Sequence, residues 1–157
     1  MERCKAHRDS RTRSRSGGRS RRWRGSCGPR IELMQDRTAF DSLADAVRSS
    51  RLLDPGSRGL ALCSGGADSA ALLAGLAGAC GAGAVTALHL NYGLRPDSRR
   101  DEAACAALCE RLGVELVIER PGPAPAGNTQ AWAREARYEA AERLRAARGL
   151  DWIAVGH

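Results

Sequence analysis

The segment Ser64-Gly65-Gly66-Ala67-Asp68-Ser69 lies between a short apolar run, Gly59 to Cys63, and a stretch of small apolar residues, Ala70 to Cys80. A glycine-rich turn from strand to helix gathers free backbone N–H groups and the positive end of a helix dipole at one point, which makes an anion site. Gly65 and Gly66 let the backbone approach a phosphate closely, Ser64 and Ser69 offer hydroxyl donors, and Asp68 can orient the loop or a Mg2+ ion. The plainer alternative is a tight turn in which Ser and Asp are ordinary helix caps. Other phosphate and nucleophile motifs do not fit. From residue 31 onward the chain has no lysine, which excludes G-x-x-x-x-G-K-[ST]; Gly81-Ala82-Gly83 has Thr86 where a dinucleotide fingerprint needs glycine; and Leu62 stands where G-x-S-x-G needs its first glycine.

Two further groups carry chemistry. His89 falls at the C-terminal end of a second apolar run, where open α/β sheets place their ligands, or else it is a core histidine satisfied by backbone. Downstream, Gln130, Arg134, Arg137, Tyr138, Arg145 and Arg148 gather by helical phase into a basic stripe, read as opposite an apolar face of Trp132, Ala133, Ala136, Ala140, Leu144 and Ala147. Such a stripe binds phosphate, or it is an exposed face laced with Glu139–Arg143 type pairs. For Arg145 and Arg148 the second reading is preferred. The six cysteines, at 4, 27, 63, 80, 105 and 109, come without a secretory signal, and Cys105 and Cys109, four apart, have no C-x-x-C spacing and no nearby histidine to complete a zinc site. Buried reduced thiols are expected, with Cys105 and Cys109 inside a helix.

The elements that must position these residues follow from periodicity. Phe40, Leu43, Ala44, Val47 and Leu52 recur at helical spacing in an opening helix that Asp54-Pro55-Gly56 stops. Gly59 to Cys63 is the first strand, and Ala70 to Cys80, apolar on every side, is a buried helix. Ala84 to Leu90 is the second strand. Ser98 with Asp101 forms a capping-box pattern for a helix ending at Gly113, and Val114 to Glu119 is the third strand. Asn128 caps a long helix ending at Gly149, and Asp151 to Val155 is the fourth strand. This alternation predicts a parallel α/β sheet with right-handed crossovers and the first strand central.

Composition bounds the whole. The 157 residues are 43% hydrophobic but only 4% aromatic, enough for one core built from Ala, Leu, Val and Ile, and not for a collagen-like or wholly disordered chain. No apolar run approaches the roughly 18 residues a spanning helix needs, so a soluble cytoplasmic protein without a membrane partner is expected. In residues 1–30, ten arginines and Lys5 stand against Glu2 and Asp9, so the chain's net charge of +7 resides in this tail and the rest is slightly acidic. An Arg/Ser/Gly segment of this kind is expected to stay disordered through residue 33. It is either a nucleic-acid-binding arm or lies upstream of a true start at Met34, the only other methionine.

The six residues Ser64 to Ser69 match the S-G-G-x-D-S motif and resemble the PP-loop ATP pyrophosphatases, which split ATP into AMP and pyrophosphate. Two more segments are similar to the tRNA(Ile)-lysidine synthetases within that group. His89-Leu90-Asn91-Tyr92-Gly93-Leu94-Arg95 looks like their H-x-x-H-G-L-R element, with Tyr92 in place of the second His, and Asn128-x-Gln130-x-x-x-Arg134-Glu135-x-Arg137-Tyr138 looks like their N-x-Q-x-x-x-R-x-x-R-Y helix. The resemblance implies an adenine-nucleotide hydrolase-like sandwich that ligates L-lysine to the wobble cytidine of a CAU-anticodon tRNA(Ile), with ATP and Mg2+. In this reading Ser64, Gly65, Gly66, Ala67, Asp68, Ser69 and His89 hold the nucleotide and Asp68 the metal. Asp68, Arg134 and Arg137 act in catalysis, and Asn91, Tyr92, Arg95, Asn128, Gln130 and Tyr138 meet the substrate. The alternatives are a tRNA thiolase and a non-catalytic ATP-binding module. Gly156-His157 matches the start of a further element of the resembled family. Residues 34–157 are therefore expected to be the N-terminal part of a longer, catalytically complete protein, and inactive alone.

Overall fold

The computed structural model of the protein describes residues 37–94 and 98–156. The arginine-rich tail with its two cysteines, Met34, Arg95 and His157 lie outside the described residues. Among the described residues, helix α1 (Arg37–Ser50) leads to β1 (Gly59–Leu62), α2 (Ala67–Cys80), a single 3-10 turn (Ala82–Ala84) and β2 (Val85–Leu90). Helix α3 (Ser98–Leu112), β3 (Glu115–Glu119), α4 (Thr129–Arg148) and β4 (Trp152–Val155) complete the order. The strands form one all-parallel sheet in the order β3-β2-β1-β4, with β1 inside as expected.

Each strand alternates its side chains between two cores. Ala61, Val85, Ala87 and the half-buried Leu116 and Ala154 face the side packed by α2 and α3; Leu60, Leu62, Leu88, Val117, Ile153 and Val155 face α4. Right-handed crossovers through α2 and α3 carry the chain from β1 to β3, and α4 then returns it to the opposite side of β1. The direction of winding therefore reverses between β1 and β4, the place where sheets of this kind open a crevice at their strand ends.

Helix α2 is apolar all round because it is covered on both sides. Leu73 and Leu76 enter the sheet-side core, while Gly75 and Gly78 face α1 so closely that a Cβ on Gly78 would stand 2.8 Å from Ala44 Cβ and 3.0 Å from the Phe40 ring. The absent side chains let the two backbones approach. Helix α2 begins at Ala67, three residues before the start that hydrophobicity predicts, because polar Asp68 and Ser69 occupy its first turn. Strand β4 starts at Trp152, one residue late, because Asp151 is tied to Arg58: its N–H donates to Arg58 O at 2.7 Å and its carboxylate accepts from Arg58 N at 2.8 Å. No helix among the described residues is long and apolar enough to cross a membrane.

Helix α4 corrects one sequence reading. Its buried and half-buried residues are Trp132, Ala133, Ala136, Arg137, Ala140, Ala141, Leu144 and Arg145, whereas Ala147 is exposed. The basic stripe adjoins the apolar face rather than opposing it, because Arg137 lies four residues after Ala133 and three before Ala140. The expected Glu139–Arg143 pair is replaced by bridges to β3, Arg143 to Glu119 and Arg148 to Glu115, and Arg145 pairs with Glu142 at 2.6 Å.

Candidate functional site

The loop after β1 is closed by one hydroxyl. Ser69 Oγ donates to Gly66 O at 3.0 Å and accepts from Ser64 N at 3.1 Å, with Ser64 Oγ also 3.1 Å away. Ser69 is 2% exposed, so its proton is spent on the loop itself; the expectation of a free hydroxyl donor at this position is corrected to a clamp. Gly65 has φ +87°, a left-handed conformation that favours glycine, and a Cβ there would come within 3.0 Å of Asp101 Cβ. Gly66 differs. Its φ of −86° suits any residue, and a Cβ would meet only Ser64 Oγ at 3.5 Å. Nothing among the described residues requires glycine at 66, and the backbone there is open to close approach.

No side chain caps the first turn of α2, and the Gly66 N–H before it donates only a long hydrogen bond to Ser64 Oγ at 3.4 Å. By contrast, Asn128 Oδ1 accepts from Gln130 N and Ala131 N, both at 3.1 Å, at the start of α4. That cap was expected, and it occupies the oxygen that the substrate-binding reading of Asn128 would use.

In front of the loop lies a cavity of about 600 Å³, of a size that holds a nucleotide. Its wall brings together Ser64, His89, Asn91, Tyr92, Gln130, Arg134 and Arg137 from the sequence-derived set. Of the loop only Ser64 is on its wall; Gly65, Gly66, Ala67, exposed Asp68 and Ser69 are not, and neither are Asn128 and Tyr138. Ser98, Asp101, Thr129, Gly156 and Cys63 line it without having been singled out as site residues. Ser98 and Asp101 are read from the sequence as a helix cap; their place at the start of the helix that follows the second parallel strand was the signal. Gly156 is glycine for lack of room, since a Cβ would stand 2.9 Å from Asp68 O.

His89 is 3% exposed, and its Nδ1 lies 2.8 Å from Cys63 O. A carbonyl only accepts, so Nδ1 carries the proton and Nε2 is an acceptor in the neutral ring. That Nε2 is buried without a hydrogen-bond partner. Asn91 Nδ2 donates to Glu102 Oε2 at 2.7 Å and its Oδ1 accepts from Gly93 N at 3.0 Å, which fixes the turn after β2. The Asn91 amide, together with Arg120, holds the Glu102 carboxyl below its usual range. Tyr92 is a brace: its hydroxyl donates to Ala133 O at 2.8 Å, accepts weakly from Arg137 Nε at 3.5 Å, and its ring meets Trp132 edge-on at 5.7 Å. Arg134 stacks over the Tyr138 ring at 5.1 Å.

The four cysteines among the described residues are free, and Cys63, Cys105 and Cys109 are buried, in line with the sequence reading. The close pairing of two of them was not legible: Cys63 Sγ and Cys105 Sγ lie 3.1 Å apart across 42 residues of chain. The Cys105 hydrogen bond, helped by Gly65 N–H and Ser69 against the effect of burial, lowers the Cys63 thiol to about 7, and the same contact pushes Cys105 up.

The family described as "PP-loop domain" matches residues 39–157. The tRNA(Ile)-lysidine synthase of Thermus thermophilus is 42% identical over 99 residues, 60% of this chain and 19% of the relative. That of Symbiobacterium thermophilum is 37% identical over 125 residues, 75% of this chain and 26% of the relative. The chain thus spans about a quarter or less of these two relatives. Among solved structures, an NH3-dependent NAD synthetase from Campylobacter jejuni superimposes with a TM-score of 0.53 at 17% identity, covering 69% of this chain and 51% of that one. At that identity the likeness concerns the fold.

Proposed function

The chain belongs to the PP-loop family, which indicates ATP binding, and on that premise we propose that it supplies the nucleotide site of an enzyme that ligates L-lysine to the wobble cytidine of a CAU-anticodon tRNA(Ile). The observation that carries the nucleotide half is the uncapped start of α2 behind Gly66, where the backbone alone leaves space, at the mouth of a cavity whose wall includes Arg134 and Arg137. Similarity to lysidine synthases at 37% to 42% identity supports the choice of acceptor and amine.

In this reading the N–H groups of Gly66 and the first turn of α2 hold the pyrophosphate part of ATP. The His89 Nε2 lone pair accepts a hydrogen bond from an amino or hydroxyl group of the nucleotide. The cytosine O2 attacks the α-phosphorus, the bond to pyrophosphate breaks, and the lysine amine then displaces AMP from the adenylated base. Arg134 and Arg137 stabilise charge that develops on the phosphates, an electrostatic contribution that needs no nucleophilic side chain. Tyr92 holds Ala133 and Arg137 in place, and Gln130 and Asn91 stand on the wall nearest the incoming base. No cluster of three or more metal-ligating side chains exists among the described residues, so Mg2+ would be held by Asp68 and the phosphates themselves, where it neutralises phosphate charge. The reaction is placed in the cytoplasm.

A sulfur-transferring enzyme of the same family would need a cysteine free to reach the base. Cys63 is 3% exposed with its sulfur against Cys105, which is 0% exposed. The test is pyrophosphate release from ATP by the gene product that carries these residues, with a CAU-anticodon tRNA(Ile) transcript and labelled lysine. The expected result is release that depends on the tRNA, with lysine retained in the RNA. Release indifferent to tRNA, or incorporation of sulfur and not lysine, overturns the proposal.

A further inference from the structure

We propose that Cys63 and Cys105 form an oxidisable dithiol beneath the phosphate loop, which hydrogen peroxide closes into a disulfide. The two sulfurs are 3.1 Å apart, on the residue that follows β1 and on the buried face of α3. Cys63 is 3% exposed but belongs to the cavity wall, the side from which a molecule of peroxide size would reach it, whereas Cys105 needs no access because it reacts only with its neighbour. His89 Nδ1 stands 3.3 Å from Cys105 Sγ and 2.8 Å from Cys63 O, which places the pair of thiols against a histidine of the cavity wall.

The Cys63 thiol, lowered to about 7, is substantially thiolate at neutral pH, and the thiolate is the nucleophile. It attacks one peroxide oxygen, the O–O bond breaks, and Cys63 sulfenic acid and hydroxide result, the hydroxide becoming the first water by taking up the proton that the Cys63 thiol had released. The Cys105 sulfur then attacks the Cys63 sulfur, the S–O bond breaks, and a second water leaves with the Cys105 proton. Two thiols and one peroxide thus give one disulfide and two waters, with two electrons passing from sulfur to peroxide. The other described cysteines are poorer candidates, since burial pushes Cys109 up to about 11 and also raises half-buried Cys80.

A disulfide has an S–S length of about 2.05 Å, so the sulfurs must close by about 1 Å. There is little slack for this. Asp101, one helical turn before Cys105, already lies against Gly65, where a Cβ would stand 3.0 Å away, and Ser64 follows Cys63 directly. Drawing α3 and the end of β1 together therefore displaces the phosphate loop. This consequence rests on the nucleotide-binding reading; the disulfide does not.

The experiment treats the reduced 157-residue chain with hydrogen peroxide, blocks remaining thiols by alkylation, and maps the peptides by mass spectrometry. The expected product has lost two hydrogens and yields a linked peptide containing Cys63 and Cys105, reversed by dithiothreitol. In Cys105→Ser the linkage is absent and dimedone traps sulfenic acid at Cys63. Recovery of Cys63 as sulfinic or sulfonic acid without linkage, or of both residues as free thiols while Cys80 is oxidised, overturns the dithiol. ATP titration of the two forms reads the loop, with affinity expected to fall by about tenfold or more on oxidation. Equal affinities overturn the displacement. If the reduced chain binds no ATP, the proposed function fails, and the linked peptide alone decides the dithiol.

Discussion

The two faces of the sheet are covered in different ways. One is packed by α2 and α3, with α1 against α2, and its core holds Ala61, Leu73, Leu76, Ala87 and the thiols of Cys63, Cys105 and Cys109. Among the described residues the other is covered by α4 alone, of which only Ala140 and Ala141 are fully buried, and ion pairs to β3 help to fix its C-terminal half. The first face is a scaffold made of close backbone approaches. The second is a lever whose N-terminal half carries Gln130, Arg134 and Arg137 to the cavity. The contrast teaches that stability and binding should separate by face and by position along α4.

Four substitutions and one titration can break that separation. The largest effect is expected for Arg137→Ala, which should lower tRNA-dependent pyrophosphate release about 10²- to 10³-fold, as loss of a charge-stabilising donor does, with the melting temperature nearly unchanged. A parallel collapse of the fold would place Arg137 in the scaffold instead. Gly66→Val should reduce ATP affinity about a hundredfold, or ~2.7 kcal/mol, again without unfolding, because the fold leaves its side chain room. Isothermal titration beside a thermal melt measures both, and unchanged affinity in a folded variant removes the loop from the binding site.

Gly78→Leu tests the scaffold. It forces a side chain against Ala44 and Phe40, so denaturant unfolding should show a loss of about 1–3 kcal/mol, while the ATP affinity of the folded fraction stays the same. Alkylation by iodoacetamide should rise at Cys63 as pH passes through about 7, whereas Cys109 should need a pH near 11. The linkage has opposite signs in the pair. The lowered Cys63 contributes stability that is present above its ordinary 9.0 and lost as pH falls through about 7, while the raised Cys105 contributes stability present below 9.0 and lost as pH rises. The smallest effect belongs to Glu115→Gln, about 0.5 kcal/mol or less, because its bridge to Arg148 is exposed and screened by salt. The Arg148 contact lowers the Glu115 carboxyl, so this small contribution is present above 4.5 and lost as pH falls through the lowered value.

What was legible in the sequence was local. The Asn128 cap, the left-handed Gly149 that ends α4, the all-apolar α2 and the glycine loop each depend on neighbours a few residues away, and each is found where its pattern put it. The site was legible as a set of segments but not as a geometry. Ser69 turns inward because a hydroxyl without water seeks the nearest carbonyl, which the loop supplies at Gly66. Asp101 meets Gly65, and Cys105 meets Cys63, through crossover packing that no spacing encodes. The helical phases of α4 were read only in part: Ala147 was assigned to the apolar face but is exposed, and Arg137 was assigned to a face set opposite, although it shares the side of Ala133 and Ala140.

The position of β1 has a consequence for the order of assembly. Its register with β2 joins Gly59 to Val85, a short excursion through one helix, whereas its register with β4 joins Gly59 to Trp152, and the Arg58–Asp151 contact spans 93 residues. Closing the longer loop costs more chain entropy and must wait for it to be gathered in. The half of the cleft made by the glycine loop and β2 is therefore complete before Gly156 arrives to abut Asp68. During refolding, amides shared by β1 and β2 should gain protection from hydrogen exchange earlier than those shared by β1 and β4. A nascent chain would pass through a stage with its phosphate loop formed and its cleft still open on one side.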